Sequence, residues 1–500
     1  MSTDAQLSSG VCGLLDISLR RNCERDAVWA SGETFSYAAL DEMAMRIQGA
    51  LLESGCKPGT RVCLLLRHSV QLVASVVAVL RLGATYVPLD PRLPIPRAQY
   101  IARDSGASLL LFSSQHNALA AAVEVSSVCV DNLPDSTATA SNVCPHPVDL
   151  AYILYTSGST GTPKAVGISH HNLLNYVRWA SERYFRSIDD RIALYTNIAF
   201  DFTITCLLPP LTLGASIGVF DGLSDPLIIR RIIDDPRVNI VKITPSYLSV
   251  MSQFLNGQRH IDRLIVGGED LKVTLAATVK DQLGDVEIIN EYGPTEATVG
   301  CVFHTYDRDR DTGDSVPIGR PIPGVKLYVV DDDDSLIDDC RPGELCLAGA
   351  SVATGYLTRT DTQRKGFVPN PYAPGTILYH TGDIVRYDGD GNLIFVGRRD
   401  DQVKIRGNRV ELQEVTAAIL AVPGVSAAYT TSLPDCASLA IAAVATASGV
   451  NESEIVDFLR RTVPPYMVPT YLKIVTEIPL TPNQKVDRDS VLSVFRRSGG

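Results

Sequence analysis

What the chain lacks narrows its class first. Its 11 cysteines are scattered without a C-x-x-C pair or any regular spacing, which argues against a disulfide framework or zinc ligation and for reduced thiols. No long Lys/Arg run is present, and a formal charge of −11 argues against a phosphate backbone as a partner, so no nucleic-acid function is expected. The most apolar region, residues 62–87, is interrupted by Arg67, His68 and Arg81 and reads as a buried strand–helix–strand passage rather than a membrane span. Residues 1–10 lack the basic start and apolar core of a leader, so a cytoplasmic chain with no membrane partner is expected. Internal repeats and low-complexity segments are absent. The run Asp331-Asp332-Asp333-Asp334 lacks the spacing with which carboxylates converge on one ion, and reads as a solvated turn between strands.

What is present describes a globular protein of more than one domain. Five hundred residues exceed what one core supports, and 45% hydrophobic with 20% charged residues is ordinary composition. Helical patterns over 40–54, 69–82, 172–184 and 227–234 alternate with β-branched runs over 61–66, 85–89, 191–198 and 239–244. That alternation predicts parallel sheets covered by helices. From about 315 to 399 the pattern changes to short strands with Gly/Pro/Asp turns, a β-rich subdomain. Beyond 400 it becomes a compact α+β unit, with helices over 411–420 and 452–462 and strands over 425–430 and 437–445. The expected fold is α/β: a large N-terminal domain, 1–399, and a small C-terminal one, 400–500.

The densest chemical signal is Tyr155-Thr156-Ser157-Gly158-Ser159-Thr160-Gly161-Thr162-Pro163-Lys164, between an apolar β-prone segment and a second strand, 165–169. Such a loop can turn backbone N–H groups and several hydroxyls toward one anion, because glycine permits the concave backbone a nest requires. Lys164 adds a point charge. This phosphate cradle is not the Walker form, whose glycine precedes Lys-Ser/Thr directly and which opens a helix.

This loop and six later or flanking segments resemble, in order, the motifs of the adenylate-forming superfamily, which holds acyl-CoA synthetases, luciferases and the adenylation domains of nonribosomal peptide synthetases. The others are Leu82-Gly83-Ala84-Thr85-Tyr86-Val87-Pro88-Leu89-Asp90, Asn290-Glu291-Tyr292-Gly293-Pro294-Thr295-Glu296, Gly343-Glu344-Leu345-Cys346, Tyr379-His380-Thr381-Gly382-Asp383, residues 397–407 beginning Gly397-Arg398-Arg399-Asp400, and Asn483-Gln484-Lys485-Val486-Asp487-Arg488. The resemblance spans about residues 35–490. It implies ATP and Mg²⁺ as cofactors and a small C-terminal lid that rotates about a hinge at Asp400 or Asp401. Thr156, Ser157, Gly158, Ser159, Thr160, Gly161 and Lys164 would meet the phosphates, and Gly268, Asn290 and Gly293 would join the nucleotide site. Thr295 would bond the α-phosphate and Glu296 would hold Mg²⁺. Asp383 would accept from the ribose hydroxyls with Arg398 nearby, and Tyr292 and Phe395 would flank the adenine. Lys485 would bridge the substrate carboxylate and the α-phosphate, and Gly407 would line the thiol channel. Two positions depart from the pattern: Gln484 replaces the glycine before that lysine, and Ala165 the glycine after Lys164.

The resemblance also places a substrate pocket: Asp201, Phe202, Thr205, Lys242, Ile265, Gly267, Glu291, Val299, Gly300 and Lys485. Asp201, directly after Phe200, is the mark of enzymes that take amino acids, where a carboxylate pairs with the α-ammonium. Lys242 only donates and an ionised Glu291 only accepts, so a side chain that does both is called for. A carboxamide does both, and the set resembles an asparagine pocket; Phe202 and Ile265 leave a short cavity, favouring Asn over Gln. The alternative is a mutual Lys242–Glu291 ion pair with a small neutral substrate such as Ser or Thr. No Leu-Gly-Gly-x-Ser follows Lys485, and His170-His171 lacks the aspartate of a condensation motif, reading instead as a helix lead-in. Either a free-standing enzyme, the favoured expectation, or an excised domain is therefore expected, passing its product to a phosphopantetheine carrier protein supplied in trans, with a small activating protein of the MbtH-like kind as a further candidate partner. The competing readings are an acyl- or aryl-CoA synthetase and a catalytically silent nucleotide-binding protein.

Overall fold

The computed structural model describes residues 10–133, 142–158, 162–222, 225, 227–257, 260–357, 366–400, 402–405, 407–435, 438–480 and 486–496. The chain forms two compact units. The first takes residues up to Pro91, Ala102–Leu154 and Ala165–Arg399; the second takes Arg92–Ile101, Tyr155–Lys164 and the chain from Asp400 onward. The C-terminal residues thus share their unit with two short excursions of the N-terminal chain, one of them the Ser/Thr/Gly loop.

In the first unit the passage over 61–89 shows how the alternation becomes structure. Arg61–Leu65 pairs in parallel with Thr85–Pro88 on one side and Leu109–Phe112 on the other. A parallel neighbour demands a crossover, supplied by the helix Val70–Arg81, capped where Ser69 Oγ accepts from the Leu72 amide. This helix is apolar almost all round because it is buried on nearly every side. Its one charge is buried too: Arg81 donates to Asp16 at 2.6 Å and Asp41 at 2.5 Å. The strand Leu150–Thr156 joins the same six-stranded sheet.

The sheet that carries the candidate pocket is nine-stranded among the described residues. Its centre runs Glu287–Tyr292, Arg263–Gly267, Ile240–Ile243, Arg191–Leu194, Ser216–Val219. These strands are parallel, and antiparallel strands close both edges. Register does the positioning. Lys242 lies opposite Ile265, Ile265 opposite Ile289, and Gly267 opposite Glu291. Side chains two apart share a face, so Lys242, Ile265, Gly267 and Glu291 all fall on one side of the sheet.

Two features differ from the periodicity. The strand expected over 191–198 is paired only through Leu194; the chain then enters a 3₁₀ turn, Asp201–Thr203, that leads into the helix Ile204–Leu213. That helix contains Pro209 and Pro210, which read as breakers; burial of Ile204 through Leu211 outweighs their missing donors. The β-rich subdomain is a five-stranded sheet, and its first two strands, Val325–Val330 and Gly343–Gly349, enclose the aspartate run. There Asp332, Asp333 and Asp334 are exposed, and Asp331 Oδ1 accepts from the Asp333 and Ser335 amides, a solvated turn.

In the second unit the hairpin Gln402–Ile405/Asn408–Glu411 precedes the helix Leu412–Leu420 and a three-stranded sheet of Val425–Asp435, Ser438–Ala447 and Tyr471–Ile474. Its own core gathers Val410, Val415, Ile419, Ile441, Ile455, Leu459 and Met467.

Candidate active site

The charged pair read from the sequence meets itself. Lys242, fully buried, donates to Glu291 Oε2 and, at 2.5 Å, to Thr205 Oγ1. Glu291 Oε1 accepts from two tyrosines of the helix His170–Tyr184: Tyr176 at 2.8 Å and Tyr184 at 2.7 Å. Tyr176 Oη also lies 2.5 Å from Thr205 Oγ1, closing a ring of four polar groups. Counting protons orients that ring. Glu291 only accepts, so the single Tyr176 proton goes to it; the single Thr205 proton must then go to Tyr176, and Thr205 accepts from Lys242. Thr205 has no proton left for a substrate. One lone pair of Glu291 Oε2 and one N–H of Lys242 remain uncommitted to hydrogen bonds. The Lys242 ammonium also sits 4.4 Å from the centroid of the Phe202 ring, which stacks on Phe200.

Glycines give this carboxylate its room. A Cβ on Gly300 would lie 2.4 Å from Glu291 Oε1, and one on Gly267 would lie 2.6 Å from the Glu291 carbonyl oxygen. Thr298 and Val299 have φ of 57° and 67°, unusual for β-branched residues and a sign that packing holds this turn against its preference.

Asp201 opens the 3₁₀ turn and is only 5% exposed, with Oδ2 unpartnered among the described residues. Burial pushes its carboxyl up to about 6, against the pull of a Thr295 hydrogen bond and the Lys242 charge. An unpaired buried carboxylate is a costly feature that a cationic group would relieve.

Three of the residues expected at a nucleotide, Asp383, Arg398 and Tyr292, meet elsewhere in the same unit. Asp383 faces Arg398 across paired strands; Arg398 donates to Oδ1 and Tyr292 Oη donates to Oδ2 at 2.5 Å. Glu344 supports this turn by accepting from the Gly382 amide at 2.9 Å. Asn290 is spent on the Val316 and Pro317 carbonyls. Glu296 is fully buried and Oε1 accepts from Tyr356 at 2.7 Å. A buried, acceptor-only carboxylate fits a hard cation such as Mg²⁺ by its donor chemistry. Phe395 is half-buried, packed against the main core, and Gly268 has φ of 86°, after the strand Arg263–Gly267. Gly293 packs backbone to backbone against Val299, where a Cβ would lie 2.3 Å from the carbonyl oxygen.

In the second unit the described part of the loop is engaged. The Gly158 amide, expected to face a phosphate, donates to Glu414 Oε2 at 3.1 Å, and Glu414 Oε1 accepts from Arg97 at 2.8 Å. Ser157 Oγ donates to the Arg409 carbonyl at 3.0 Å, and Thr156 Oγ1 is buried with no hydrogen-bond partner among the described residues. Only glycine fits at 158, since a Cβ would lie 1.8 Å from the Thr162 carbonyl oxygen. Asp400 is exposed and begins this unit's C-terminal part. Ser159, Thr160, Gly161, Asp401 and Lys485 lie outside the described residues.

Sequence reasoning missed Tyr176, Tyr184, Tyr356 and Glu414. Each sits on a helix or loop where an aromatic or acidic residue reads as core or surface, and no spacing betrays a partner 60 to 256 residues away.

Known proteins share this architecture. The family model for AMP-binding enzymes matches residues 15–357, and the model for the AMP-binding enzyme C-terminal domain matches 414–485. Tyrocidine synthase 3 of Brevibacillus parabrevis is 38% identical over 94% of this chain, and bacitracin synthase 3 of Bacillus licheniformis 36% identical over 97%. The chain spans only 7% and 8% of those two proteins. Among solved structures, PA1221, a nonribosomal peptide synthetase protein with adenylation and carrier domains, superposes with a TM-score of 0.88 at 24% identity, covering 97% of this chain and 84% of that one. The Vibrio cholerae adenylation domain AlmE, in complex with glycyl-adenosine-5′-phosphate, gives 0.87 at 21% identity, covering 97% and 98%. With the Asp383–Arg398–Tyr292 cluster and the two family models on one chain, the conclusion follows that this chain belongs to the AMP-binding, adenylate-forming ligases.

Proposed function

We propose that the chain activates L-asparagine with ATP as asparaginyl-adenylate, releasing pyrophosphate, and then passes it to the phosphopantetheine thiol of a carrier protein. The observation that carries this is the polar ring around Glu291. With the ion pair intact, the ring still leaves one Lys242 N–H and one Glu291 lone pair without a hydrogen bond among the described residues. A primary carboxamide answers both: its C=O accepts from Lys242 and its NH₂ donates to Glu291. An aspartate side chain would set a second carboxylate against Glu291, and a diamino acid would set a second ammonium against Lys242. Asp201 would take the α-ammonium, which speaks against a fatty- or aryl-acid substrate.

In the reaction a substrate carboxylate oxygen bonds to the α-phosphorus as the bond to pyrophosphate breaks. The chain's part is positioning and charge. Lys164 and the loop from Thr156 would hold the outer phosphates, Thr295 the α-phosphate, and Asp383 with Arg398 the ribose. Lys485 would bridge the two reacting groups. Glu296 would hold Mg²⁺, which when bound neutralises phosphate charge. A hinge at Asp400 would turn the lid to thioesterification, with any MbtH-like partner adding stability or activity on coexpression.

The second reading, a small hydroxyl side chain, is favoured by one observation: Lys242 and Glu291 already satisfy each other. ATP–pyrophosphate exchange against all proteinogenic amino acids separates the two. Exchange led by Asn supports the proposal; exchange led by Ser or Thr refutes it. Turnover that requires coenzyme A and a non-amino acid would refute the amino-acid reading itself.

A further inference from the structure

A buried carboxylate turns away a second carboxylate only while it is held in place. In this pocket that hold does not come from Glu291 alone. Both lone pairs of its Oε1 are filled by hydroxyl protons from one helix face, Tyr176 and Tyr184, two turns apart. Both tyrosines are fully buried, and their only protons point at this one oxygen. The other titratable groups facing Glu291 are Lys242 on Ile240–Ile243, Asp201 of the 3₁₀ turn, Cys206 of Ile204–Leu213 and Cys301 beyond Glu287–Tyr292. Among these only Lys242 is a cation, and it reaches Oε2.

We infer that Tyr176 and Tyr184 are positioning residues for substrate choice, through which Glu291 excludes acidic side chains. The inference deepens the pocket reading above and rests on it. Without one tyrosine proton, Oε1 regains a lone pair and the carboxylate can swing out of the position from which it repels an aspartate side chain. The two tyrosines are not equivalent. Tyr176 also takes the Thr205 proton, so removing its hydroxyl frees that proton to donate toward the substrate, a second gain for an acidic side chain.

The test is ATP–pyrophosphate exchange with Asn and Asp for wild type, Tyr184→Phe and Tyr176→Phe, each also combined with Glu291→Gln. The Asn:Asp ratio of kcat/KM is expected to fall about 10-fold in Tyr184→Phe, the scale of a hydrogen bond to a charged group, and further in Tyr176→Phe. In the Glu291→Gln background Tyr184→Phe should add nothing, since the charge it acts on is gone, and Tyr176→Phe should keep only the smaller part that comes from the freed Thr205 proton. Phenylalanine keeps the ring, and an unchanged melting temperature confirms that packing survives. Equal loss of Asn and Asp activity with a constant ratio in both variants would overturn the inference, as would an undiminished effect in the Glu291→Gln background. Should wild type favour another amino acid, the asparagine reading falls. The same fall is then expected in the ratio of that amino acid to Asp, and its absence overturns the inference.

Discussion

Gly300→Ala is the sharpest test of the pocket geometry. The added methyl would stand 2.4 Å from Glu291 Oε1, 2.5 Å from Cδ and 2.6 Å from Cγ, closer than real contacts allow. A free glutamate would swing away at little cost. This one is held by Tyr176, Tyr184 and Lys242 together. Retreat of the backbone is blocked, because Gly293 already lies against Val299 and Gly300 and the turn is strained at Thr298 and Val299. Clearing the methyl therefore costs one or two of three hydrogen bonds to a charge, at about 1.5–3 kcal/mol each before relaxation. Allowing for partial repacking, a net cost of about 2–4 kcal/mol is expected, or roughly 30- to 1,000-fold in kcat/KM for the favoured amino acid. The assay is pyrophosphate exchange across an amino-acid panel, with thermal unfolding in parallel. A variant with wild-type selectivity, rate and melting temperature would show that Glu291 is not held as described.

Three further outcomes are expected. The Asp201 carboxyl, pushed up to about 6, is neutral below that pH and cannot pair with an α-ammonium; the KM for the amino acid should rise as pH falls through 6 and plateau above 7, and Asp201→Asn should raise KM and flatten the profile. A profile in Asp201→Asn that still bends near 6 would assign the titration to another group. Lys485→Ala should cost ~10²–10³ in exchange rate with an unchanged melting temperature, since a charge acting in the transition state is lost; near-normal exchange would mean that Gln484 has displaced this lysine from its role. Asp400→Pro should spare adenylation and cut thiol loading steeply, because proline fixes φ near −65° and a hinge needs two values; equal loss of both steps would move the hinge elsewhere.

The sequence by itself determined the layers and the family. Strand–helix alternation over 61–89 required a crossover, and the crossover is there because parallel strands cannot be joined by a tight turn. The motifs were legible because phosphate and ribose chemistry demands particular residue types at fixed local spacing. The helix over Pro209 and Pro210 was not legible, since propensity is local and burial is not. Only the tertiary structure decided what Glu291 is. Local sequence offers a charged residue on a strand; the fold brings Lys242 from 49 residues away and Tyr176 and Tyr184 from 115 and 107, and these contacts set its position and its hydrogen bonds. Hydrogen-bond saturation belongs to the neighbours of a group in space, and a chain read in order shows only its neighbours in sequence.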